Sequence, residues 1–198
     1  YAALAARQPA LDWVAGISIG AINAALIAGN PPPLRLARLR AFWEQVSLAF
    51  LPTPAWGAWL GPWRESWDSA MALLGATQGV PGFFKPRPPW AWWPQTPVSV
   101  YDTAPLRASL LELVDFELLN HGPVRLSVGA VDVQSGNFTY FDNRQERIGP
   151  EHIMASGALP PGFGAVPVGE RWYWDGGLVS NTPLAHVMRH LKGDAEQR

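Results

Sequence analysis

Gly16-Ile17-Ser18-Ile19-Gly20 is a serine with a glycine two residues away on either side. It follows the short apolar run Asp12-Trp13-Val14-Ala15 and opens the Ala/Ile-rich stretch from Ile19 to Ala28. Strand, sharp turn and helix is the setting in which Gly-x-Ser-x-Gly forms a nucleophile elbow. The turn pushes the hydroxyl clear of the backbone and demands residues without bulk on both sides. The helix start aims free N–H groups and a positive dipole end at the reacting oxygen. The chemistry such a turn suits is acyl transfer, with Ser18 as the nucleophile. A hydroxyl is weakly nucleophilic at neutral pH and needs a base within hydrogen-bond reach. Asp175 stands out among the carboxylates because it closes the short aromatic run Arg171 to Trp174 and is followed by Gly176 and Gly177. An Asp-Gly turn is the plainer alternative for the same residues.

The histidines give a second possibility. The order Ser18, Asp175, then His186 or His190 also satisfies the chain order of an α/β-hydrolase triad. Both histidines, however, fall on a predicted helix after Asn181-Thr182-Pro183, where His186 reads as a core or helix-surface residue and His190 as a dipole partner near the helix end. His121 and His152 have no companions at ligand spacing, so no metal site and no cofactor are expected.

The elements that must hold these residues follow from apolar periodicity. Helices are predicted over 19–28 and 34–46, the latter with Leu36, Leu39, Trp43 and Val46 inward and Arg35, Arg38 and Arg40 on a solvated face. A further helix is expected to start at Asp102 or Thr103 and run through Leu106, Leu110, Leu113 and Val114 until Gly122 and Pro123. Residues 124–132 and 137–141 read as a hairpin, 150–157 as a short helix, 171–174 as a strand and 183–191 as a last helix. Strands alternating with helices indicate an α/β layered fold. Trp172 and Trp174 are expected either to wall the active site or to stand one ring on each face of their strand.

With 198 residues, 48% of them hydrophobic, the chain can bury a core of ordinary size, and it is read as one domain over 1–198. Fifteen Lys plus Arg against sixteen Asp plus Glu leave a net charge of -1, which argues against a nucleic-acid partner. Zero cysteines exclude disulfides and leave the redox compartment open. No apolar run reaches the roughly 18 residues of a membrane-spanning helix. The expected locations are the cytoplasm or a membrane surface. Eight of the 11 tryptophans lie between Trp43 and Trp93, and prolines and glycines interrupt any sustained period there. That stretch, about 48–98, reads as an insert or lid with a short helix from Trp63 to Leu74. Trp56, Trp59, Trp63 and Trp67 would form an aromatic stripe on a helix, either as core filling or as an interfacial surface for peripheral membrane contact. On the second reading the chain would be a lipid-binding module without catalysis. Tyr1, Leu4 and Arg7 read as the tail of a helix, so the sequence is expected to begin inside a larger protein.

Four stretches in order carry a resemblance: Trp13 to Ala24 around Ser18, Val131-Asp132-Val133-Gln134-Ser135-Gly136, Ala155 to Phe163, and Trp174-Asp175-Gly176-Gly177 on to Leu184. Together they resemble the patatin-like phospholipase family over about residues 10–30 and 100–190, leaving the Trp-rich middle unmatched. The resemblance implies a three-layer α/β fold with a central, mostly parallel sheet flanked by helices. It also implies a Ser18–Asp175 dyad that hydrolyses a lipid acyl ester through an acyl-enzyme without a histidine. Gly16, Ile19, Gly20, Gly176 and Gly177 would then shape the substrate site. The family's first strand and its Gly-Gly-Gly-x-x-Gly oxyanion loop have no counterpart here, which leaves the Ile19 N–H as the obvious donor and implies weak or absent activity for this chain.

Overall fold

The computed structural model describes residues 1–6, 11–47, 75–88 and 99–196. The helix expected over 63–74 and the stripe from Trp56 to Trp67 lie outside the described residues. In chain order the named elements are α1 (Ala2–Ala5), β1 (Trp13–Ile17), α2 (Ile19–Ala28), α3 (Pro32–Ser47), β2 (Lys85–Pro86), β3 (Tyr101–Asp102), α4 (Ala104–Leu113), α5 (Phe116–His121), β4 (Arg125–Asp132), β5 (Phe138–Asp142), α6 (Pro150–Ser156), β6 (Val166–Val168), β7 (Arg171–Asp175), a 3₁₀ turn (Gly176–Leu178) and α7 (Leu184–Glu196).

The buried strand β4 organises the sheet. β1 lies parallel to it, Trp13 opposite Arg125 and Ile17 opposite Gly129. β5 pairs antiparallel over Ser127 to Val131 and therefore takes the other edge. β7 pairs antiparallel with Ala130 to Asp132, sharing β4's residues with β5, so it lies on the same edge as β1, beyond where β1 stops. β6 adds antiparallel to β7. The parallel β1–β4 pair is the core on which the site is built, and the outer pairs described are antiparallel.

Alternation along the strands separates two faces. Leu126, Val128 and Ala130 share a face with Phe141 and Tyr173, and all five are buried in one core with α2 and α6. Trp13, Ser127, Tyr140 and Asp142 are on the opposite face, where His186 and His190 of α7 pack on Trp13 and His186 also stacks on Tyr140. Helix, sheet and helix give the three layers of an α/β fold flanked by helices.

Several details differ from expectation. The single helix expected from 103 to 121 is two, because Val114 is extended and Asp115 starts a new helix. The Asp115 carboxylate accepts from the N–H groups of Glu117 and Leu118, both at 2.9 Å, which is a strong N-cap inside an otherwise continuous apolar pattern. β6 has no clear sequence signal: it is Val-Pro-Val, and its hairpin with β7 turns at Gly169, where φ is +59°. Arg35 is buried, not solvated, and its Nε donates to the Asn30 carbonyl at 3.0 Å. α3 therefore turns Arg35, Leu39 and Phe42 inward, while Trp43 is exposed and donates to Asn23 Oδ1. No described helix is long and apolar enough to cross a membrane.

α7 extends past its expected end to Glu196, which makes His190 a mid-helix residue. His186 stacks on Tyr140 with ring centres 3.7 Å apart, and both histidines meet the edge of Trp13. Among the described residues the buried His186 Nε2 has no hydrogen-bond partner. Burial pushes its pKa below the usual histidine value, and the neighbouring His190 pushes the same way, with Arg125 and Arg189 adding to this against Asp142. The unfolded chain therefore takes up a proton near pH 6.5 before the folded chain does, so stability is lost as pH falls through that value. Thermal unfolding at pH 7 and pH 5 should show a lower midpoint at pH 5, and His186→Phe, which keeps a ring on Tyr140, should shrink that difference. An equal drop in both proteins would show that this histidine is not its source.

Candidate active site

The site lies where β1 and β7 meet on one edge of β4. β1 ends opposite Gly129 and β7 ends opposite Ala130, so Ser18, the next residue after β1, faces the last residue of β7. Ser18 Oγ donates to Asp175 Oδ2 at 2.6 Å across 157 positions of sequence. Both residues expected to carry the chemistry are thus in contact. Asp175 is only 3% exposed, and the second oxygen of its carboxylate accepts the Gly177 N–H at 2.7 Å, so neither oxygen is left unpaired in the interior. The Asp175 N–H donates to the Ala158 carbonyl at 3.0 Å, which ties the end of β7 to the loop after α6.

The turn at Ser18 is strained. Its φ of 55° and ψ of -126° make it the one non-glycine residue at positive φ among the described residues. Such a conformation costs about 1–3 kcal/mol and persists only where its surroundings enforce it. Gly16 is one reason that this turn can form: a Cβ there would come within 2.2 Å of the Gly20 carbonyl oxygen. Gly20 is a different case, since a Cβ on it would meet nothing within 4 Å. The expected need for small residues on both sides therefore holds on the strand side alone. Gly176 is needed for close packing, its missing Cβ falling 2.6 Å from the Gly129 carbonyl oxygen. At Gly177 a Cβ would crowd Asn181 Oδ1 at 2.8 Å and the Asp175 carboxylate itself at 3.0 Å. Ile19 is exposed at the first position of α2, where helix N–H groups have no carbonyl one turn back.

One further residue escapes the motif reading. Ser18 N–H donates to Ser156 Oγ at 2.9 Å, and that hydroxyl donates to the Gly129 carbonyl at 2.6 Å. Ser156 belonged to a recognised block of sequence, but nothing in its type or spacing indicated this contact.

The histidines are elsewhere. His186 and His190 contact Trp13, the first residue of β1, whereas Ser18 follows the last. Among the described residues no histidine hydrogen-bonds to Ser18 or Asp175, and no cluster of three or more His, Asp or Glu side chains could hold a metal ion. Trp172 and Trp174 do not stand on opposite faces, because residues two apart in a strand share a face. Both line a cleft of about 570 Å³ with Arg87, Ser99 and Gln134, and neither Ser18 nor Asp175 lines it. The two rings therefore wall a neighbouring cleft on the sheet face opposite Asp175.

No curated protein sequence matches the chain. Among solved structures, VipD from Legionella pneumophila is similar at 13% identity and a TM-score of 0.29, over 83% of this chain and 30% of that one. The chain thus spans less than a third of that protein's length. The family model for patatin-like phospholipase matches residues 1–188, continuous through the Trp-rich middle that the four blocks had left unmatched. The chain belongs to the patatin-like phospholipase family.

Proposed function

We propose that this site is a serine acyl hydrolase acting on lipid acyl esters, with Ser18 as nucleophile and Asp175 as general base. The observation that carries the reading is the 2.6 Å hydrogen bond from Ser18 Oγ to Asp175 Oδ2, in a chain of this family. As Ser18 Oγ attacks the acyl carbonyl, Asp175 Oδ2 takes its proton and a tetrahedral oxyanion forms. The carbon–oxygen bond to the alcohol then breaks, and Asp175 returns the proton to the departing oxygen. Water repeats the sequence on the acyl-enzyme: Asp175 accepts a water proton, the hydroxide oxygen bonds to the acyl carbon, and the carboxylic acid leaves as Ser18 is reprotonated.

Stabilisation of the oxyanion is the weaker half of this site. The Ile19 N–H and the positive end of α2 can serve it. The sequence contains no Gly-Gly-Gly-x-x-Gly loop to add donors. Since one lost donor lowers turnover about 10²–10³-fold, slow turnover by the 198-residue chain belongs to the proposal. So does contact with a lipid surface through the Trp-rich stretch, for which the clustering of tryptophans between Trp43 and Trp93 is the support. The domain is read as one unit over 1–198.

A fluorophosphonate reports an activated serine without requiring fast turnover. The purified chain should be labelled at Ser18, Ser18→Ala should abolish labelling, and Asp175→Asn should slow it at least about 100-fold. Undiminished labelling in Asp175→Asn would remove the aspartate from the mechanism, and labelling unaffected by His186→Ala and His190→Ala is expected. The elbow supplies a separate check. Gly20→Ala should raise the unfolding midpoint by about 2–4 °C, as alanine does in an open helical position. Gly16→Ala should lower it sharply and extinguish labelling, and a Gly16→Ala protein that still labels would mean the tight turn is not needed.

A further inference from the structure

The Ser156 hydroxyl is part of the site's structure, yet the acid–base chemistry of Ser18 and Asp175 makes no use of it. It is completely buried at the last residue of α6. A serine at a helix end commonly turns its hydroxyl back to a carbonyl of its own last turn. This one reaches out of its helix in both directions, accepting from Ser18, 138 positions away, and donating to Gly129, 27 positions away. One hydroxyl thus joins the end of β1, the middle of β4 and the end of α6.

Its acceptor contact is made with the strained residue. At positive φ, the Ser18 N–H has left the β1–β4 ladder and cannot yet join the helix that begins one residue later, so a side chain must satisfy it. The peptide orientation at Ser18 also sets the direction in which Cβ and Oγ leave the backbone toward Asp175. We propose that Ser156 is a positioning residue for the nucleophile. Its hydroxyl holds the elbow amide and thereby aims Ser18 Oγ at Asp175 Oδ2. This inference rests on the reading of Ser18 as nucleophile. It carries a corollary: the Ser18 N–H is already engaged by Ser156, so it does not serve as an oxyanion donor, and that duty begins with Ile19.

Two measurements on the 198-residue chain separate positioning from simple stability: amide hydrogen exchange at Ser18, relative to Val128 in β4, and the rate of Ser18 labelling by a fluorophosphonate. Ser156→Ala should speed Ser18 amide exchange about tenfold or more beyond any change at Val128, and slow labelling about tenfold. Ser127→Ala is the control, since it removes an equally buried hydroxyl, one that bridges Trp13 Nε1 and Asp142 Oδ2. It should lower the unfolding midpoint without selectively releasing the Ser18 amide or changing labelling more than about twofold. If Ser156→Ala does not fold, Ser156→Cys, a weaker donor and acceptor of similar size, should move both readouts in the same direction by a smaller factor. Unchanged Ser18 exchange in the Ser156 variants, or equal release in Ser127→Ala, overturns the proposal. A wild-type chain that is never labelled, while Ser156→Ala still releases the Ser18 amide, would instead overturn the hydrolase reading and leave the anchor standing.

Discussion

Two strands share a single edge of β4, one arriving parallel and stopping opposite Gly129, the other arriving antiparallel and stopping opposite Ala130. The contact between Ser18 and Asp175 depends on that meeting. A slip of one residue in either register would move a chain end by about 3.3 Å and turn its side chains to the other face of the sheet. Gly129 lies at the junction: its carbonyl receives the Ser156 hydroxyl, and Gly176 packs against it too closely for a side chain.

The arrangement concentrates unfavourable terms in a few residues and offsets them nearby. Ser18 is held in a conformation that L-residues avoid, and Asp175 is a carboxylate deep in the protein. The first is restrained by the bond to Ser156 and by α2, whose buried face of Ala21, Ile22, Ala25 and Leu26 fixes where the turn must end. The second is compensated by two donors, the Gly177 N–H and the Ser18 hydroxyl. Each donor is supplied by local backbone geometry or a short side chain, which leaves little slack for the pair to drift apart.

Legibility in the sequence followed from how sharply each feature is constrained. The elbow and the Asp-Gly-Gly turn were readable because the backbone excludes bulk at Gly16, Gly176 and Gly177. The β4–β5 hairpin and the helices over 19–28 and 150–156 were readable from period and turn residues. Other features were hidden by competing signals. Asp115 breaks a helix while the apolar pattern runs on past it, from Leu113 and Val114 to Leu119. Pro167 conceals a strand because it sits in a short hairpin with β7. Arg35 appeared on a solvated face but is buried against the Asn30 carbonyl, a tertiary contact that periodicity does not encode. Ser156 is the extreme case, since a buried serine looks like any other until the chain folds around it.

The carboxylate of Asp175 also has a handedness. One oxygen is committed to the Gly177 amide and the other to the Ser18 hydroxyl, so the group cannot flip its two oxygens without breaking both bonds. Traffic of hydrogen at this group is thereby confined to one atom and one line of approach. On the proposed mechanism, any alcohol or water that exchanges a hydrogen with this carboxylate does so at Oδ2, the oxygen that faces Ser18.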